Sequence, residues 1–235
     1  YFAASHAHYS SMVTLAMGLS MAVILLGVVV LVTGLLGEEY RRLLSGLLAV
    51  REVTAGGFIL GASALYLRCM HSGARRPSVR KLAVGLAVLL LVLGVASLVQ
   101  GVMYTLGWLP LDGAHPISPL AVPPLMSVGF VLMALALLLH DWRLLGGYYP
   151  AEYLAFTLMG LSAIPLVGYL YDVSQFIYLD FPLPISLLSS LVFALLGAAL
   201  LMARPSHPLM AVILRMAPGG QMLRHLLPQT LFLLL

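Results

Sequence analysis

The sequence predicts an all-α fold, a polytopic integral membrane helix bundle with six complete transmembrane helices, read as three helix pairs, and the start of a seventh. Three observations predict it. Of 235 residues 62% are hydrophobic and 9% charged, against roughly 45–50% and about 25% in soluble domains, and the mean hydropathy is +1.06. The charges gather in short segments, leaving apolar runs long enough to cross about 30 Å of hydrocarbon. One residue pattern recurs in the second helix of each pair. The 12 basic and 8 acidic side chains cannot coat a soluble core of this size, which excludes a water-soluble enzyme and a nucleic-acid-binding domain.

Residues 1–37 carry no charge, and 11–36 suffice for a tilted span that is too long, and lacks the basic start, for a signal peptide. Further spans are expected at about 51–68, 82–108, 121–140, 152–171 and 182–203. The membrane domain is then 1–203, with pairs at 11–68, 82–140 and 152–203. Within 204–220, the short apolar stretch 208–216 with Arg215 reads as a helix lying on the membrane surface. Gly219 and Gly220 turn the chain back, and 221–235 begins a further helix near Leu226. That last segment has 15 residues, about 22 Å of helix, and residue 1 is Tyr, so the expectation is a chain cut at both ends.

Assigning loops alternately puts Arg68, Arg75, Arg76, Arg80, Lys81, Arg143, Arg204, Arg215 and Arg224 on one side, nine of twelve basic residues. The excess makes that side cytoplasmic, the N-terminus included. The expected compartment is a bacterial inner membrane or one derived from it. The opposite loops hold six of the eight acids, Glu38, Glu39, Glu52, Asp112, Asp172 and Asp180. Tyr104, Trp108, Tyr169, Tyr171 and Tyr178 fall near the outer boundary, where amphipathic rings anchor in the headgroup region.

The repeat reads F-x-L-x-[AG]-x-A-L: Phe58 to Leu65, Phe130 to Leu137 and Phe193 to Leu200, at offsets of 72 and 63 residues. It resolves whether 43–67 is one helix. Seven residues before the shared Phe stand Arg51, Pro123 and Ser186, all near a helix start, where Glu52 faces the positive end of the helix dipole. Residues 43–50 become a separate outer interfacial piece. The small residues of the pattern read as close helix packing.

Chemistry is sparse. The single cysteine, Cys69, excludes an intrachain disulfide framework and a Cys-rich metal site. None of the seven histidines lies deep in a span, so a bis-histidine haem is not expected. His6-Ala7-His8 offers two ligands without a third, and no metal site is predicted. Lys81 is the only lysine and borders the inner surface, and no catalytic motif appears. The cofactor is left unknown. Gln100, in the outer half of helix three, is read as bonding to a neighbouring helix. With Tyr104, Asp112, His115, Tyr169, Tyr171, Asp172 and Asp180 it forms a candidate outward-facing pocket, weighed against an ordinary solvated loop surface.

The run from Phe193 to Leu200, then Ala203-Arg204-Pro205 and Pro218-Gly219-Gly220-Gln221-Met222-Leu223-Arg224-His225-Leu226-Leu227-Pro228, resembles the N-terminal membrane region of bacterial sensor histidine kinases. The Pro-Gly-Gly to Leu-Leu-Pro run carries most of the likeness, which is best over about 153–228. Thr54-Ala55 fits the Pro-Asn-Thr-Ala helix start expected there, whereas Glu52-Val53 departs from it. The resemblance implies a multi-helix input module joined to cytosolic PAS and kinase domains or other signalling outputs, none of which lies in these residues. It carries over no ligand-binding residue.

The leading expectation is therefore a sensory membrane domain without catalysis of its own. The alternative is a structural subunit of a larger, energy-converting membrane complex. The expected partners are the lipid bilayer and either a second copy in a homodimer or a larger complex. A transporter ranks third, because three similar pairs are unlike the two halves that frame a midplane site.

Overall fold

The computed structural model describes residues 2–35, 52–71, 77–106, 122–143, 149–171 and 186–204. These form six helices: α1 Phe2–Leu35, α2 Glu52–His71, α3 Pro77–Thr105, α4 Pro124–Leu138, α5 Pro150–Leu170 and α6 Leu187–Met202. A 3₁₀ turn, Leu139–Asp141, closes α4. No strand occurs among the described residues. The helix starts follow their residues. Proline opens α3, α4 and α5, where its missing N–H costs nothing. Glu52 sits in the first turn of α2. Ser186 caps α6, its Oγ accepting the Ser189 N–H at 3.1 Å.

Helices α1, α2, α3 and α5, and α4 together with its 3₁₀ turn (Pro124–Asp141, 18 residues), are long and apolar enough to cross a membrane, so the chain has the build of an integral membrane protein. The sixth expected span, 182–203, is shorter. With Ser186 as its cap, α6 has 16 residues, about 24 Å at 1.5 Å per residue. The outer piece 43–50, the surface segment 208–216 and the further helix near Leu226 lie outside the described residues.

Each helix packs on the next, α6 returns to α1, and α2, α4 and α6 also touch one another in the middle. Half of the spanning window is buried in α2 and α4, against 28% in α1, α3 and α5, so α1, α3 and α5 form the rim. That rim exposes Leu15 and Leu25 on α1, Leu89 and Val92 on α3 and Phe156 on α5. Lipid tails are as apolar as these side chains, and nothing drives them inward.

The shared phenylalanines meet at the centre. Phe58 and Phe130 have ring centroids 5.4 Å apart, Phe130 and Phe193 5.1 Å, and Phe58 and Phe193 4.8 Å. Tilted and edge-to-face rings at these distances attract beyond their buried area. Three of the other four shared positions line the same core: Ala62, Ala134 and Gly197, then Ala64, Ala136 and Ala199, then Leu65, Leu137 and Leu200 are all buried, while Leu60, Leu132 and Leu195 are half-buried. Small residues set the approach. A methyl on Gly57 would stand 2.7 Å from the Phe130 ring, and one on Gly129 2.9 Å from the Phe193 ring. The third copy carries Val192 at that place. There, between α1, α2 and α6, Phe58, Val192 and Gly27 border a cavity of about 10 Å³.

Two of the buried serines in the interior are satisfied within their own helices. Ser20 Oγ donates to Ala16 O and Ser162 Oγ to Met159 O, each at 2.7 Å, as hydroxyls in apolar surroundings do. Pro165, buried within α5, removes one backbone donor from that helix. A second cavity of about 10 Å³, lined by Leu161, Ser162, Pro165, Ser190 and Phe193, lies beside it.

Candidate functional site

The charged chemistry lies at one end of the bundle, where the central helices finish. Ten residues after Phe58 stands Arg68; eleven after Phe130 stands Asp141; eleven after Phe193 stands Arg204. Equivalent helices of similar length bring these three ends together. The 3₁₀ turn tightens the end of α4 and sets Asp141 out beyond the buried His140. Arg68 Nη1 donates to Asp141 Oδ2 at 3.1 Å. Arg204 Nη2 donates to Asp141 Oδ1. Arg80, in the first turn of α3, places Nε 3.9 Å from Oδ2. One carboxylate thus joins α2, α3, α4 and the end of α6.

Burial differs across the cluster. The Arg68 side chain is 7% exposed, those of Asp141 and Arg204 37% and 36%, and that of Arg80 62%. Arg68 Nε is buried and finds no hydrogen-bond acceptor among the described residues; a buried donor without an acceptor costs about 1–3 kcal/mol, more when charged. The cluster walls a cavity of about 50 Å³, completed by Leu67, Ala83, His140 and Ala203. Among the described residues three guanidinium groups face one carboxylate there, a surplus of two positive charges. Nearby, Arg143 Nε donates to the Tyr149 hydroxyl, and its guanidinium carbon lies 5.1 Å from that ring's centroid.

The outward-facing pocket expected from sequence is not brought together by the described residues. Gln100 is half-buried and makes no hydrogen bond to another described residue. Tyr169 and Tyr171 are exposed at the end of α5. Because neighbouring helices run antiparallel, these three lie toward the end opposite Asp141. Tyr104 falls in α3; Asp112, His115, Asp172 and Asp180 lie outside the described residues. Gln100, Tyr169 and Tyr171 line none of the cavities formed by the described residues at Phe58, Pro165 and Asp141. Among the described residues no group of three His, Cys, Asp or Glu side chains is placed to hold a metal ion.

Sequence reasoning assigned Arg68, Arg80 and Arg204 to one side but missed Asp141 as their common partner. The signal was present: the repeat register, continued past its last Leu, puts Arg68, Asp141 and Arg204 at matching helix ends.

No family model, curated protein or solved structure matches this chain. Fold and site together define a class, an all-helical membrane bundle with an aromatic centre and an arginine–aspartate junction at one end.

Proposed function

We propose that this chain is the membrane-embedded input module of a signal-transduction protein, with no catalysis of its own. The observation that supports the reading is the Asp141 junction, which ties α2, α3 and α4 to Arg204, the residue at which the chain leaves α6. A signal needs an element with two arrangements that a stimulus can bias. An ion-pair junction at the ends of packed helices is such an element, since its pairs are made or broken together when a helix end shifts. In this reading the helices are three pairs, with a seventh beginning near Leu226. The Asp141 end is cytoplasmic, with the N-terminus, in a bacterial inner membrane. The stimulus enters at the opposite end, near Gln100, Tyr169 and Tyr171.

The test has two parts. Intact-mass spectrometry of the polypeptide from its own membrane reads whether an output domain is attached, a mass far above 25.2 kDa being expected. Autophosphorylation of that full-length protein is then compared with its Asp141→Asn variant, whose basal output is expected to change severalfold. A native mass close to 25.2 kDa, with partners co-purifying at fixed stoichiometry, would overturn the reading in favour of a structural subunit of a larger membrane complex.

A further inference from the structure

We propose that the cavity beside Asp141 is a binding site for a phosphate group. The proposal rests on the cavity's chemistry and holds whether or not the chain signals. Three features support it. First, charge: Arg68, Arg80 and Arg204 share one carboxylate, and a surplus of two positive charges in a partly enclosed space calls for an anion. Second, unused donors remain on Arg80, whose side chain is the most exposed of the three. Arg80 Nε, at 3.9 Å from Asp141 Oδ2, is beyond hydrogen-bond reach, and no hydrogen bond of the Arg80 guanidinium to another described residue occurs. Guanidinium groups present their N–H donors as a planar fork that matches two oxygens of a phosphate. Third, size: about 50 Å³ accommodates roughly four water-sized atoms, at some 10–15 Å³ each, and a phosphate has four oxygens around one small atom.

Asp141 has a defined part in such a site. It accepts from Arg68 and Arg204 and so fixes two long side chains before the anion arrives, lowering the ordering cost of binding. The same phosphate chemistry has two sources. Along α3 the side nearest Arg80 exposes Val88 and Val95, so a phospholipid could lay its acyl chains there with its headgroup at the cavity. A free phosphate could also enter from the aqueous side.

The experiment is thermal unfolding of the purified, delipidated protein in a nonionic detergent. It is titrated with short-chain phosphatidic acid, diacylglycerol of the same chains, inorganic phosphate, and sodium chloride at matched ionic strength. The expected result is a saturable rise in melting temperature with phosphatidic acid and none with diacylglycerol or chloride. An equal rise with inorganic phosphate assigns the site to free phosphate; a rise with the lipid alone assigns it to a headgroup. Arg80→Gln, at an exposed position, is expected to weaken the apparent affinity about tenfold or more. Arg143→Gln, outside the cavity, leaves it unchanged. The absence of a saturable shift with both phosphate probes in the wild-type protein would overturn the proposal, as would an Arg80→Gln variant that binds as tightly as wild type.

Discussion

Adding one methyl group at Gly57 tests the aromatic centre. In Gly57→Ala the new Cβ stands 2.7 Å from both Cε1 and Cζ of Phe130. Carbon atoms settle at about 3.5–4.0 Å, so the ring must move by about 0.8 Å. It has nowhere to go. Phe130 is fully buried and stands between Phe58 and Phe193 at 5.4 and 5.1 Å. Behind it α3 approaches closely, a methyl on Gly94 being 3.1 Å from Phe130 Cβ. Overpacking of this kind costs about 1–3 kcal/mol, which lowers the melting temperature by about 2–12 °C in a chain of this length. The assay is thermal unfolding in detergent, with Gly18→Ala and Gly85→Ala as controls, because a methyl at either position meets nothing within 4 Å. Both controls are expected within about 0.5 kcal/mol of wild type. Phe130→Leu makes room, so the double variant Gly57→Ala/Phe130→Leu loses less than the two single losses added. A Gly57→Ala protein that melts with the wild type, or strict additivity in the double variant, would refute the tight three-ring centre.

Three further outcomes are expected. Asp141→Asn removes the shared acceptor and leaves the 7% exposed Arg68 beside two other arginines. The expected loss is about 1–3 kcal/mol, below the 3–5 of a fully buried pair because the Asp141 carboxylate is partly solvated; Arg68→Met in the same background recovers part of it, read by thermal unfolding. Ser186→Ala deletes the cap that receives the Ser189 N–H and costs about 1 kcal/mol, with hydrogen exchange rising in the first turn of α6 and not in α4. Cys69, buried next to Arg68, reacts slowly with a maleimide in the native protein and completely on unfolding. Asp141→Asn is expected to speed the native reaction, and an unchanged rate would show that the junction does not hold the end of α2 closed.

Much of the fold was legible. Depth in a membrane is a one-dimensional property of the chain, because a helix of known rise must fit a slab of known thickness. Hence the spans around Leu25, Leu90 and Leu158 could be read without tertiary information. The starts of α2, α4 and α6 were also approachable, since the repeat register put Arg51, Pro123 and Ser186 near helix starts, with Glu52 as a local signal. The junction was harder to see. Asp141 lies 73 residues from Arg68 and 63 from Arg204, and a contact at that separation leaves no local trace. The outward-facing pocket was proposed because Tyr and Asp residues gathered at one expected depth, and shared depth alone does not say which of them meet around the bundle.

Sequence by itself determined that α1 to α5 are apolar and long enough for a membrane, and that Phe58, Phe130 and Phe193 hold the same place in a repeated pattern. Only the tertiary structure decided that the three rings touch, that α1, α3 and α5 form the rim, and that Asp141 collects three arginines. The physical reason is that lipid and protein interior are equally apolar. A membrane helix therefore carries little periodic contrast between its buried and exposed faces, and the side that turns inward is set by where small residues such as Gly57 and Gly129 let a neighbour come close.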